Sequence, residues 1–326
     1  MSALKLERSE INVLTKALEW QSAEIKVCLI TVLKTWGSSP RPVGAVMAIN
    51  ERGHSIGSVS GGCIEEDLVE IVRKDYPRSR IFLNFSSENH KSLPCGGQVD
   101  LLIEPLINIA DFTEFLEKLK SFKSVSRLIN KKNGEPILTS EIEASRKYYE
   151  SHHVLNYPSP WRILIIGAGD LSLSLYKFSS LMGYRVSICD PRKEYVQSWL
   201  SSESAVTRMM PDDFIMNHKC DSKTAIVALT HDPKIDDLAM IEAVKTDAFY
   251  IGALGSTRTA KARAERLTKH FEFSEAQIER IKAPIGIDFD TKKVDEIALS
   301  VMADITTVKN GVSIVTQRTK RKNFEN

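Results

Sequence analysis

The sequence predicts an α/β protein, an N-terminal α+β domain followed by a Rossmann-like doubly wound parallel-sheet domain. Three observations carry that expectation. At 326 residues, with 42% hydrophobic and 26% charged side chains, the chain suits two domains of ordinary size. The second half opens on Arg162-Ile163-Leu164-Ile165-Ile166, a strand-length apolar run that passes into Gly167-Ala168-Gly169 and then a helical pattern. The first half holds β-branched runs, short turns and two cysteines in glycine settings, Ser60-Gly61-Gly62-Cys63 and Pro94-Cys95-Gly96-Gly97.

Bulk properties narrow the class. A formal net charge of +2 favours neither nucleic acid nor a membrane as partner, although Arg318, Lys320, Arg321 and Lys322 form a small basic tail. No run approaches the roughly 18 apolar residues of a membrane span, and the first ten residues lack a signal-peptide core, so a cytoplasmic location is expected. The five cysteines are odd in number and irregularly spaced, with no C-x-x-C pair. They are expected as free thiols in a reducing compartment, with no metal site.

Ser9 can cap a helix in which Ile11, Leu14 and Leu18 recur at near-helical spacing, ending near Ser22. Lys26 to Trp36 is rich in β-branched residues and stops at a glycine-proline turn. Strands at Gly44 to Asn50 and His54 to Val59 then form a hairpin about Gly53 and deliver the chain to the first cysteine loop. Ile64 to Val72 is an amphipathic helix, which sets Cys63 at a helix start where the dipole favours a thiolate. Two tight turns holding small, half-buried cysteines are the alternative. Strands at Arg80 to Phe85 and Val99 to Pro105 flank the second cysteine loop, a helix spans Asp111 to Phe122, and a second hairpin turns at Lys131 to Gly134. Glu141 to Pro160 shows no sustained period. It is expected as a linker (141–160) between domains 1–140 and 161–326.

In the second half, strand, glycine turn, helix, strand and Asp190 follow in the order of a dinucleotide-binding unit. Gly167 and Gly169 would let phosphate reach a helix start, and Asp190 could meet a ribose, so NAD(P) is one candidate ligand. Ser172 stands where a third glycine would be. Strands at Ala205 to Met209, Thr224 to Leu229 and Ala248 to Ile251 continue the alternation, Ala283 to Asp288 ends a last strand, and Val294 to Val308 closes the domain. Two polar loops follow strand ends: Thr230-His231-Asp232 with Asp236-Asp237, and Gly252-Ala253-Leu254-Gly255-Ser256-Thr257-Arg258. The second has the composition of a phosphate cradle. In the first, His231 is either a turn residue or a proton donor, and the acids are either helix caps or metal ligands.

Six stretches together resemble one family. Gly37-Ser38-Ser39-Pro40-Arg41, Gly57-Ser58-Val59-Ser60-Gly61-Gly62-Cys63-Ile64-Glu65, Leu93-Pro94-Cys95-Gly96-Gly97, Thr230-His231-Asp232, Tyr250-Ile251-Gly252-Ala253-Leu254-Gly255-Ser256 and Pro284-Ile285-Gly286-Ile287-Asp288 are similar to the XdhC/CoxI family of xanthine dehydrogenase accessory proteins. The resemblance implies a maturation factor that binds molybdenum cofactor, assists its sulfuration by a cysteine desulfurase, and hands it to an apo molybdenum hydroxylase such as xanthine dehydrogenase. Partner expectations include a homodimer. For such a carrier Cys95 is expected as the decisive thiol and Cys63 as the supporting one, with the glycines, Ser256 and Arg258 cradling an anionic pterin. The competing class is an NAD(P)-dependent oxidoreductase built on Gly167, Gly169, Asp190 and His231.

Overall fold

A computed structural model describes residues 9–37, 41–86, 97–121, 123–139, 148–199 and 206–312. They fall in two compact units, drawn from Glu7–Ser159 and from Pro160–Asn326.

The first unit runs α1 (Ser9–Ser22), β1 (Val27–Trp36), β2 (Val46–Asn50), β3 (Ser55–Gly57), α2 (Glu65–Lys74), β4 (Ile81–Ser86), β5 (Gln98–Pro105), α3 (Ile109–Lys120), β6 (Val125–Asn130), β7 (Pro136–Thr139) and β8 (His152–Tyr157). Strands β3-β2-β1-β5-β4 form one antiparallel sheet with β1 at its centre. Because side chains alternate along a strand, β1 feeds two cores. Val27, Leu29 and Leu33 pack with Ile11 and Leu14 of α1 and Phe115 and Leu119 of α3. Cys28, Ile30 and Val32 pack with Leu68 and Val72 of α2. The β2–β3 turn closes as its residues dictate: Gly53 takes φ 83°, and the Asn50 side chain accepts from the Arg52 and His54 amides, both at 3.0 Å.

A second sheet, ordered β7-β6-β8, contains the one strand of this unit that the sequence reading leaves inside a linker. His152–Tyr157 carries no repeating apolar period, yet Leu155 and Tyr157 reach the α1/α3 core. The Tyr157 hydroxyl donates to the Gly44 carbonyl at 3.0 Å. Arg127 of β6 crosses to Glu104 of β5, its Nη2 meeting both carboxylate oxygens at 2.9 and 2.7 Å with both side chains buried.

The second unit runs β9 (Arg162–Ile166), α4 (Asp170–Leu181), β10 (Arg185–Cys189), α5 (Lys193–Ser198), β11 (Val206–Thr207), α6 (Pro211–His218), β12 (Thr224–Ala228), α7 (Pro233–Ala243), β13 (Tyr250–Ala253), α8 (Thr257–Phe271), α9 (Glu275–Glu279), β14 (Ile281–Lys282) and α10 (Val294–Lys309). The sheet order is β11-β10-β9-β12-β13-β14, with every pairing parallel. That is the 3-2-1-4-5-6 order of a doubly wound dinucleotide fold, whose order reverses between the first and fourth strands. Helices cover both faces. Leu175 of α4 and Val301 and Ile305 of α10 bury one side, while Phe214 of α6, Met240 of α7 and Leu267 of α8 bury the other. The last strand is shorter and earlier than expected: β14 ends at Lys282, and Ala283 to Asp288 follows it as irregular backbone.

Candidate functional site

The first cysteine loop is built around a carboxylate supplied by the chain itself. Glu65, the first residue of α2, turns back into the preceding loop. One oxygen, Oε1, accepts from Ser58 Oγ at 2.6 Å, the Val59 amide at 3.0 Å and the Ser60 amide at 2.9 Å. The other, Oε2, accepts from Ser60 Oγ, from the Gly62 amide at 2.9 Å and from the Ile64 amide at 3.2 Å. Glycine is required for this wrap, since Gly61 and Gly62 stand at φ 83° and 112°. Partial burial alone would raise the Glu65 carboxyl, but the bonds from Ser58 and Ser60 outweigh it and hold the group down at about 2.

Crowded amides around an anion are therefore present, and the anion is internal. The Gly61 amide donates to Ser58 Oγ and the Gly62 amide to Glu65, which corrects the expectation that both are open to cargo. Sequence reasoning missed Glu65, although its place directly after Gly-Gly-Cys-Ile was a usable signal. Cys63 is half-buried, its amide donating to Ser60 Oγ at 2.9 Å, and it packs against the β1/α2 core. The other described thiols lie in different settings. Burial pushes Cys28 up to about 12, Cys220 up to about 11, and Cys189 upward as well. Cys95 and Gly96 lie outside the described residues, as does the basic tail, while Gly97 is buried just ahead of β5.

In the second unit the strand order puts Gly167-Ala168-Gly169 and Thr230-His231-Asp232 at the carboxyl ends of neighbouring strands β9 and β12, the switch point. Gly167 stands at φ 109°, where a side chain is strained, and a Cβ would also press at 3.1 Å on the Leu229 carbonyl carbon and the Thr230 nitrogen. Gly169 opens α4 without any side-chain cap, and nothing stands within 4 Å of where its Cβ would be. The first turn of α4 therefore starts with no side chain accepting from its amides. Ser172, in the position of a third glycine, is fully buried with no hydrogen-bond partner for its Oγ.

Asp190 departs from its expected role. It is fully buried, Oδ2 accepts from the Ala168 amide at 2.9 Å, and both oxygens meet the Arg192 guanidinium at 2.9 and 2.8 Å. The acid braces the glycine turn and is not presented to a ribose. Arg192, half-buried and stacked 3.8 Å over Tyr195, is the group that surfaces there.

His231 is exposed at φ 62° and Asp232 caps α7, accepting from the Lys234 amide at 2.9 Å. Asp236 and Asp237 are not loop acids. They lie buried within α7, where Arg263 of α8 donates to Asp237 at 3.0 Å and to Asp236 at 3.3 Å, and Arg266 donates to Asp237 at 2.9 Å. Among the described residues no group of three or more His, Cys, Asp or Glu is placed to hold a metal.

The second glycine loop divides in two. Gly252 is buried inside β13, where a Cβ would sit 2.6 Å from Ile285, so it is a packing glycine rather than a cradle member. Gly255 (φ 148°) and Ser256 lead into α8, with Ser256 Oγ accepting from the Thr259 amide at 3.2 Å. Arg258 stands exposed in the first turn of that helix.

Fold and loops together define a class, an α/β protein that joins a Rossmann-type parallel sheet to an antiparallel unit bearing a glycine–cysteine loop. Residues 163–305 match the profile of the XdhC Rossmann domain, and residues 20–79 match that of the XdhC and CoxI family. The chain belongs to the XdhC and CoxI family. It is 25% identical over 285 residues to the molybdenum cofactor insertion chaperone PaoD of Escherichia coli K12, covering 86% of this chain and 83% of that one. It is 23% identical to a probable xanthine dehydrogenase component of Bacillus subtilis 168, covering 88% and 94%. The fold is that of a crystal structure described as a xanthine dehydrogenase from Bacillus halodurans, with a TM-score of 0.75 at 21% identity over 95% of this chain and 98% of that one. No helix among the described residues is long and apolar enough to cross a membrane.

Proposed function

We propose that the protein carries molybdenum cofactor as cargo, assists its sulfuration and delivers it to an apo molybdenum hydroxylase. The observation that carries this reading is the relationship to the insertion chaperone, which extends over 86% of the chain. The chemistry of the donor set agrees with it. The cargo is an anionic pterin with a terminal phosphate, a dithiolene and a molybdenum–oxo centre. A phosphate needs amide donors and a cation, which the uncapped start of α4 and the exposed Arg258 can supply. A molybdenum centre already held through dithiolene sulfur, or a sulfur transfer, is suited by a thiol, and Cys63 is the described cysteine held in a glycine loop at a helix start. Cys95, between Pro94 and Gly96-Gly97, is proposed as the second and decisive thiol. A cysteine desulfurase is the class of partner that would provide the sulfur. Hydride transfer is the weaker reading, because Asp190 is committed to Ala168 and Arg192.

Purification from a molybdate-replete host, with metal and released pterin counted per chain, tests the assignment. Pterin near one per chain without turnover of the cofactor is expected. Chains that carry no pterin, and that fail to activate an apo hydroxylase supplied with it, would refute it. In the same reconstitution Cys95→Ala should abolish activation more completely than Cys63→Ala.

A further inference from the structure

We infer that Glu65 is the positioning residue of Cys63, an internal anion that holds the glycine loop closed around the thiol. The inference rests on the proposed role of Cys63 as a cargo thiol and adds the device that presents it. Six donors converge on one carboxylate from a span of only seven residues, Ser58 to Ile64. Four are backbone amides, which in a loop would otherwise turn to water or to a bound anion. The connection to the cysteine is direct. Ser60 Oγ donates to Glu65 and accepts from the Cys63 amide at 2.9 Å and from the Ile64 amide at 3.1 Å. The carboxylate, Ser60 and the Cys63 backbone thus form one hydrogen-bonded chain.

The charge is essential to this arrangement. Each oxygen accepts three bonds, so an amide side chain of the same shape would turn an N–H group toward the Gly62 and Ile64 amides or toward those of Val59 and Ser60. Either way two donors face a donor and the loop must open. The low carboxyl value of Glu65, about 2, keeps the pin ionised at every physiological pH. Cys63 is also packed against the β1/α2 core, so opening the loop releases it from that contact. The loop holds the thiol at a fixed depth, partly covered, until something competes for it.

Site-resolved alkylation followed by mass spectrometry on the full chain, in a Cys95→Ser background, tests this without any cofactor. Glu65→Gln and Ser60→Ala should each raise the labelling rate of Cys63 about tenfold, as expected for a local opening, while Cys28 and Cys189 stay within about twofold of the parent. Glu66→Gln, a neighbouring exposed acid, should leave all three unchanged. If Cys63 labels at the parent rate in either variant, or rises only together with Cys28 and Cys189 as in global unfolding, the positioning role is wrong. Because the readout involves no pterin, its failure is separable from failure of the carrier reading.

Discussion

Arg263 offers the sharpest test of how the second unit holds its binding edge. The side chain is buried, donates to Asp236 and Asp237 of α7, and reaches the Leu254 carbonyl at 3.3 Å, in the loop that leads to Gly255 and Ser256. Arg263→Met keeps the aliphatic volume and removes the charge. Breaking a buried ion pair by deleting one partner costs about 3–5 kcal/mol, because the other charge is left uncompensated. The low end applies here. Asp237 retains Arg266 at 2.9 Å, and Asp236 retains the Thr230 hydroxyl at 2.6 Å. A loss of about 3 kcal/mol in a domain of this size lowers the melting temperature by roughly 6–12 °C.

Acidity supplies an independent check on the cause. Asp236 already lies above its ordinary value of 3.8, chiefly through burial, with Arg263 among the groups pulling it back down. In that window the native state binds more protons than the unfolded chain, so stability falls as pH rises from 3.8 through the raised value. Arg263→Met removes a lowering influence, which pushes the group further up and widens the window. The deficit of the variant should therefore be largest at neutral pH and shrink on acidification toward 3.8, the ordinary value of the group. Thermal melts of both proteins across that range read it out. A variant within about 1 kcal/mol of the parent at neutral pH, or a deficit independent of pH, would refute the reasoning.

Gly252→Ala should destabilise by about 1–3 kcal/mol through overpacking against Ile285 and Tyr250, and Ile285→Val should recover part of the loss in thermal melts without altering anion binding. Arg258→Ala should change stability by no more than about 0.5 kcal/mol, yet weaken a phosphate titration more than Lys320→Ala does. Glu65 is depressed from 4.5 to about 2, so its contribution is fully present above 4.5 and lost as pH falls toward 2. The stability gap between the parent and Glu65→Gln should close over that acid range in denaturant titrations.

How much of this was legible depends on whether the signal was local. The parallel sheet was, because residues 163–166 and 225–228 are buried on both faces and appear as unbroken apolar runs. Strand β8 was not. Its place is set by pairing with β6, and only Leu155 and Tyr157 of its six residues carry an apolar contact to the core. The acids of the Thr230 loop misled for a related reason. Asp236 and Asp237 follow a cap residue and look like loop chemistry, but their partner Arg263 is 27 and 26 residues away.

Glycine shows the same limit most clearly, since the residue signals that something comes close without saying what. At Gly167 it is the backbone of Leu229 and Thr230, at Gly252 the side chain of Ile285, and at Gly255 the side chain of Thr259. Those three positions are explained by the protein's own atoms. At Gly62 and Gly169 nothing lies within 4 Å of an added Cβ. Gly62 needs its φ of 112° to bring its amide onto Glu65, so the loop accounts for it without any ligand. Gly169 has an ordinary φ of −88°, no crowding neighbour and no cap. Neither backbone strain nor packing asks for glycine there; glycine is an ordinary N-cap, and at this one it leaves room for close approach from outside. A Gly169→Ala variant should therefore cost no more than about 1 kcal/mol of stability, the usual loss at an N-cap, and lose anion affinity at the start of α4; unchanged phosphate titration in a folded variant would remove that helix start from the cargo site.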